Sequence, residues 1–114
     1  MKRVLILSAI LIALLVLVAT PAVTQERTPV KVNRSVVVTG VVIVDISKTN
    51  GKKVQLQCNQ DTSGCTQLKS GNYLMAELPE NSGRYECKNV EIYEEGKQND
   101  DDAQPLGYYC LIEK

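Results

Sequence analysis

The sequence contains no histidine, tryptophan or phenylalanine. The lack of histidine excludes Ser-His-Asp and Cys-His catalysis, histidine general bases and histidine metal sites. The four cysteines form no CxxC motif, which argues against thioredoxin-like redox chemistry. The seven glycines are scattered along the chain and form no glycine-rich phosphate-binding loop. Carboxylates are therefore the only plausible acid–base catalysts in this chain.

The N-terminus has the pattern of a cleavable signal peptide. Lys2 and Arg3 form a short basic region, and residues 4–19 carry no charge. Small residues at 20–22 suit a signal peptidase, so we expect cleavage after Ala22. The apolar stretch of 16 residues is shorter than the roughly 20 needed to span a bilayer, which argues against a permanent anchor. We therefore predict a secreted or periplasmic protein that contacts the membrane only through residues 1–22 before cleavage.

The remaining chain divides into a polar, flexible lead-in at 23–34 and one domain at 35–114. Lys2 and Arg3 are the only charged residues among the first 22, so 11 basic and 13 acidic residues remain. This balance does not predict nucleic-acid binding, which requires a basic surplus or stripe. A domain of this size buries only a modest core and often needs covalent support.

Cysteine supplies that support. Cys58, Cys65, Cys87 and Cys110 all follow the predicted cleavage site, and an even count in a short exported chain predicts disulfides. Of the three possible pairings we favour Cys58–Cys65 with Cys87–Cys110. A zinc site is the alternative, but the cysteines lack the close pairs that zinc sites use. We expect no metal and no cofactor.

Apolar patterning predicts five strands, at residues 36–46, 52–58, 73–78, 85–93 and 106–112. Gly40 suggests a bend within the first strand, and a change of apolar parity near Lys88-Asn89 suggests a bulge in the fourth. Residues 65–70 resemble one helical turn that ends at Gly71. We predict an all-β fold, a small five-stranded barrel or sandwich of OB-like or SH3-like type, preceded by a signal helix.

The register of the first hairpin follows from burial. A two-residue Asn50-Gly51 loop would place core residues opposite glutamines. A three-residue loop, 49–51, instead pairs 46 with 54, 44 with 56 and 42 with 58. This spacing predicts a type I turn with Gly51 in the left-handed conformation, as a bulge.

Four short patterns follow one another between Val54 and Leu111: VxLxC, CxxLxxGxY, YxCxNV and LGxYCL. In this order they resemble a group of small, uncharacterised exported bacterial proteins with a β domain. The resemblance covers roughly half of the chain. Its motifs are structural, so it implies export and a disulfide-bearing β domain but no activity.

Carboxylates cluster near the C-terminus, at Glu91, Glu94, Glu95 and residues 100–102. A close pair could serve a small glycosidase-like hydrolase. Residues 99–102 could offer oxygen ligands to calcium, although the spacing of an EF-hand loop is missing. A solvated acidic loop is the simpler interpretation.

A partner surface is the remaining candidate site. Residues 84–114 carry four basic and eight acidic groups, which could face a basic partner. Tyr93 and Tyr109 fall on the parity opposite to the predicted core, so we expect them to be exposed and available as anchors. The proposed surface comprises Tyr93, Tyr109, Glu94, Glu95, Asp100, Asp101 and Asp102.

The sequence thus favours a non-catalytic exported module that binds a protein or an envelope component. One alternative is the carboxylate-based hydrolase. Another is a secreted enzyme inhibitor that presents the loop 94–105 to a protease.

Overall fold

The computed structural model describes residues 26–80 and 82–113, and the predicted signal peptide at 1–22 lies outside them. Six strands form an antiparallel, closed barrel in the order β1-β2-β3-β6-β5-β4. The strands are β1 (Arg27–Val38), β2 (Val41–Lys48), β3 (Lys53–Asn59), β4 (Gly71–Glu77), β5 (Lys88–Glu94) and β6 (Gly107–Glu113). The all-β prediction is confirmed, but the strand count of five is wrong.

Two meanders build the barrel, one from β1 to β3 and the other from β4 to β6. β1 pairs with β4 and β3 pairs with β6, so the segment 60–70 must cross between the two meanders. Each strand has a partner on both sides, but β4 pairs only with residues 27–32 of β1, so residues 33–38 are paired on the β2 side alone. Within the described residues, no helix is long and apolar enough to cross a membrane.

The additional strand arises from the segment predicted as one strand over 36–46. The chain reverses at Thr39-Gly40, where both residues have positive φ (49° and 78°), and Val38 then pairs with Val41. Two positive φ values define a type I′ turn, which suits a two-residue hairpin. The bend expected at Gly40 is therefore a complete reversal.

The predicted flexible lead-in is wrong for residues 27–34, which belong to β1. Val30 and Val32 alternate with polar neighbours and are 5% and 0% exposed, so they enter the core. The pairing with β2 shifts between Val32 and Arg34, which places a bulge at Asn33. Because of this bulge, the set of alternate residues that faces the core differs between the first and second halves of β1.

The β2–β3 hairpin has the predicted register. Ile46 lies opposite Val54, Val44 opposite Leu56, and Val42 opposite Cys58. The amide of Gly51 donates to the carbonyl of Lys48 at 2.9 Å, and Gly51 has φ +85°. The three-residue loop with a left-handed glycine is confirmed.

The parity change near Lys88-Asn89 has a different cause from the predicted bulge. β5 begins only at Lys88, and residues 83–87 form irregular bends outside it. Asn89, buried at 4% exposure, accepts from the amide of Tyr85 and donates to the carbonyls of Tyr85 and Cys87. One polar side chain therefore fixes the loop that precedes the strand.

The segment 65–70 contains no helical turn, which corrects that prediction. Side chains attach it to the barrel instead. Thr66 donates to the carbonyl of Leu106, Gln67 to that of Ser35, and Ser70 to that of Asn33. The crossover between the meanders is therefore an ordered strap without regular structure.

Both disulfides have the predicted pairing. Cys58–Cys65 spans a Cα–Cα distance of 5.5 Å and fastens the strap to β3. Cys87–Cys110 spans 5.8 Å and fastens the loop before β5 to β6. A disulfide-bearing domain of this size is consistent with an extracellular or periplasmic location.

Candidate functional site

The acidic loop 94–105 lies against the outside of the barrel. The guanidinium of Arg27 donates to the carbonyls of Lys97 at 2.5 Å and Asp100 at 2.8 Å. The same guanidinium stacks 3.9 Å from the centroid of the Tyr93 ring. Ala103 packs on a small external cluster of Leu74, Ala76 and Tyr93. The loop is therefore held in its middle, by Arg27, and near its end, by Ala103.

The two tyrosines proposed as exposed anchors are buried, so that prediction is wrong. Tyr93 is 6% exposed and lies beneath the loop, where its hydroxyl donates to Glu91 at 2.9 Å. Burial is the main cause that raises the pKa of Tyr93 from 10.0 to about 12. Neither of its faces is available to a partner.

Tyr109 is 0% exposed and fills the barrel interior. Its hydroxyl donates to the carbonyl of Thr66 at 2.6 Å. Burial raises the pKa of the Tyr109 phenol well above its ordinary value. The alternate side chains face outward. Leu106, just before β6, is 37% exposed, and Ile112 within β6 is 36% exposed.

The predicted acidic residues remain at the surface. Glu94, Glu95, Asp101 and Asp102 are exposed, and Asp100 is half-buried. The carboxylate of Asp100 accepts from the amide of Asp102 at 3.0 Å and pairs with the Lys97 ammonium at 3.7 Å. In residues 26–80 and 82–113, no group of three or more acidic or cysteine side chains is arranged to hold a metal.

Lys97 is poorly placed to serve as the reactive residue of a protease inhibitor. Its side chain is half-buried and paired with Asp100, while its carbonyl accepts from Arg27. An inhibitory loop presents its central residue away from the scaffold. Here the loop instead folds back onto β4 and β5.

An apolar surface that the sequence does not predict lies on the β1–β2 hairpin. The core-facing residues of β2 are Val42, Val44 and Ile46, so the alternate side chains point outward. Val36 lies opposite Ile43, and Val38 opposite Val41. These four residues, Val36, Val38, Val41 and Ile43, form the valine surface. Val38 is 52% exposed.

Polar groups border the valine surface along β2 and β3. Arg34 and Asp45 form an ion pair at 3.1 Å, and Gln55 donates to the other carboxylate oxygen of Asp45. Gln57 donates to Gln55 at 2.8 Å. The polar side chains of this border are therefore paired with one another, whereas the adjoining apolar side chains are open to solvent.

A shallow cavity of about 200 Å³ adjoins the valine surface. Val41 belongs to both, and Tyr85 and Cys110 also line the cavity. The Tyr85 hydroxyl is buried and has no hydrogen-bond partner among the described residues. We call this the Tyr85 cavity. It is held in shape by the Cys87–Cys110 disulfide and by the bonds of Asn89 to Tyr85.

No family model, curated protein or solved structure matches this chain. Its function is therefore inferred from its own surfaces.

Proposed function

We propose that this domain is a non-catalytic binding module, exported from the cytoplasm, which binds a protein partner through the valine surface. The observation that carries the proposal is the outward-facing group of four apolar side chains on one hairpin. Contiguous apolar patches on small soluble domains are often functional, whereas single exposed apolar residues are ordinary.

The closed barrel restricts how a partner could bind. Most of each strand is paired on both sides, which leaves little backbone for strand addition at a sheet edge. The interior is filled by side chains such as Tyr109, Ile46 and Leu56, all at 0% exposure. A partner must therefore contact the outer face of the barrel, where the valine surface lies.

A hetero-partner fits this surface better than a second copy of the chain. Three of the four side chains, all except Val38, are half-buried, so together they expose a few hundred Å² at most. An obligate homodimer buries about 2,000 Å² or more in total in a largely hydrophobic interface. A patch of this size suits instead the apolar centre of a larger, mostly polar contact.

The Tyr85 cavity supports a protein as the occupant. Because a water molecule takes up about 30 Å³ of the liquid, its 200 Å³ holds roughly seven non-hydrogen atoms, close to one aromatic side chain. Interfaces between proteins commonly centre on one aromatic anchor in such a pocket, surrounded by a flat apolar rim.

The test is affinity capture from the extracytoplasmic fraction of the native host, with the mature wild type and with Val38→Asp. A charge at the centre of a desolvated contact is costly. We expect Val38→Asp to recover about tenfold less of the specifically bound protein than the wild type does. Ile112→Asp is the matched control, because Ile112 is also exposed but lies beyond β3 from the valine surface.

Equal recovery by the wild type and Val38→Asp would contradict the proposal, as would recovery of nothing above background. Thermal unfolding of both variants shows whether they are folded. Concentration-dependent self-association that is abolished by Val38→Asp would assign the surface to a second copy of the chain instead. Flotation with lipid vesicles would assign it to the membrane.

A further inference from the structure

The valine surface is one end of a larger outward face formed by β1, β2 and β3. Along β2, Val42, Val44 and Ile46 are buried, and the side chains between them point outward. Residues directly opposite each other in an antiparallel pair project from the same face of the sheet. The register of β2 with β1 and with β3 therefore arranges the outward side chains in rows that run across the three strands.

The rows become more polar with distance from the Thr39-Gly40 turn. In order from the turn, they are Val38 with Val41 and Asn59, Val36 with Ile43 and Gln57, Arg34 with Asp45 and Gln55, and Lys31 with Ser47 and Lys53. We call the last of these the cationic row. The face therefore passes from apolar side chains, through polar groups that bond to one another, to a row that carries two ammonium groups.

The charges of the cationic row are not neutralised in the part of the chain that the structure describes. Arg34 and Asp45 pair with each other at 3.1 Å in the preceding row. The other ion pairs of the described residues involve neither Lys31 nor Lys53. Both lysines are exposed, and they flank Ser47 at a separation of about 10 Å, which is two strand spacings. An acidic group placed over Ser47 would be within reach of both.

Ser47 adds a directional group at the centre of the cationic row. Its hydroxyl oxygen accepts a hydrogen bond of 2.8 Å from the side-chain amide of Asn33, which lies at the bulge in β1. A hydroxyl that accepts can also donate, so its hydrogen suits a carboxylate oxygen. A hollow of about 350 Å³ lies beside these groups, and Lys53, Arg34 and the Asp45 carboxylate that Arg34 neutralises also line it. The hollow has room for an acidic side chain.

The size of the valine surface favours a contact that extends along β2. A standard interface buries about 800 Å² of each partner, which is more than these apolar side chains offer. At one end of the face the chain reverses at Thr39-Gly40, so the sheet does not continue there. At the other end lies the cationic row. Charges at the rim of an interface chiefly raise the association rate and the specificity, which suits a row of exposed lysines.

We propose that the protein partner of the valine surface is acidic, and that a carboxylate-bearing segment of it lies over the cationic row. This inference rests on the proposed function, because the valine surface supplies the apolar centre of the same contact. With about 3.3 Å for each residue of a strand, Ser47 lies about 13 Å from Ile43 along β2. The partner therefore carries its acidic side chains at about this distance from the group that covers the valine surface.

Photo-crosslinking from two positions of this face tests the inference in the native host. A photoreactive amino acid replaces Val38 in one variant and Ser47 in another, and mass spectrometry identifies each adduct. We expect the same protein from both positions, attached at position 47 within a few residues of an aspartate or glutamate. An adduct from position 38 alone, or attachment at position 47 beside basic residues, would overturn the inference and leave the valine surface standing. The absence of an adduct from position 38 would contradict the proposed function itself.

Charge variants of the position-38 protein separate electrostatic attraction from proximity. Lys31→Gln/Lys53→Gln should lower the adduct yield per exported domain about fivefold, since an exposed ion pair contributes roughly twofold to threefold. Lys88→Gln/Lys97→Gln is the matched control. It removes the same net charge from β5 and the acidic loop, and β5 lies across the barrel from β2. Equal yields in the two double variants would overturn the inference.

Two other occupants would give different adducts at position 47. A lipid adduct would assign the cationic row to an anionic membrane surface. An adduct with the acidic loop of a second copy of this chain would assign it to self-association. Either result, in place of the partner protein found from position 38, would overturn the inference.

Discussion

The hydroxyl of Tyr109 donates a hydrogen bond of 2.6 Å to the carbonyl of Thr66, 43 positions earlier in the chain. This bond joins β6 to the strap that crosses between the two meanders. Gly107 permits it, because a Cβ at that position would lie 2.7 Å from the Tyr109 ring. The barrel interior and the irregular strap are therefore fixed to each other by one buried phenol.

Tyr109→Phe and Tyr85→Phe should have opposite effects. Removing the Tyr109 hydroxyl leaves the carbonyl of Thr66 without its partner, and we expect a loss of about 1 kcal/mol in the free energy of unfolding. The Tyr85 hydroxyl is buried with no partner among the described residues, so its removal should leave stability unchanged or raise it. Urea unfolding of both variants gives the comparison. A loss with Tyr85→Phe as large as with Tyr109→Phe would contradict these assignments.

Asn89→Ala should destabilise the domain by about 2–4 kcal/mol, because it removes three hydrogen bonds made by a buried side chain. Hydrogen exchange should show faster opening at residues 83–87 than elsewhere. Gln55→Ala is the control, since its side chain bonds only to other partly exposed side chains. If exchange rises uniformly across the barrel, Asn89 does not hold this loop specifically.

Arg27→Gln should release the acidic loop. It removes the charge-assisted bonds to the carbonyls of Lys97 and Asp100 and the stacking on Tyr93. We expect trypsin to cleave after Lys97 about tenfold faster, seen as the gain of one water in the intact mass. Arg34→Gln, which removes only an exposed ion pair, should leave the rate unchanged. Similar rates in Arg27→Gln and the wild type would show that the loop is held by other contacts.

Stability should fall between pH 10 and 12 in a way that depends on Tyr93. Its pKa is raised from 10.0 to about 12, mainly by burial, so the fold favours the neutral phenol. This contribution is complete below the unfolded pKa of about 10 and is lost as the pH rises through 12. Tyr93→Phe should therefore show a shallower decline of the free energy of unfolding above pH 10. Equal slopes for the two proteins would refute this role of Tyr93.

Replacing Cys87 and Cys110 together by alanine should lower stability by about 3 kcal/mol, because their disulfide closes a long loop in the unfolded chain. The amide shifts around Tyr85 should change most, since this bridge supports the Tyr85 cavity. A variant as stable as the wild type would mean that hydrogen bonds alone fix the segment.

The parts of the fold that could be predicted from the sequence are those in which apolar residues occupy only one set of alternate positions. In β3, Val54, Leu56 and Cys58 alternate with polar residues, and the Asn-Gly pair adds a turn signal, so the β2–β3 register followed. The disulfides followed from the count and spacing of the cysteines. In each case a single physical rule was sufficient.

The rest of the fold could not be predicted, because apolar residues occupy both sets of alternate positions in those strands. From Val36 to Val44 nearly every residue is aliphatic, so periodicity cannot locate the reversal at Thr39-Gly40 or show that Val38 faces solvent. In β6, Tyr108 and Cys110 compete with Tyr109 and Leu111 for the core. Gly107 favours burial of Tyr109, because its small size leaves room for the Tyr109 ring. This contact is visible only in the three-dimensional structure.

Site-specific photo-crosslinking in the native host tests the proposed binding role most directly. A photoreactive amino acid is placed at position 38, on the valine surface, or at position 112 on β6 as the control. The proposal predicts one discrete protein adduct from position 38 and none of that mass from position 112. Identical adducts at both positions, no adduct at either, or adducts formed only with a second copy of this chain would contradict it.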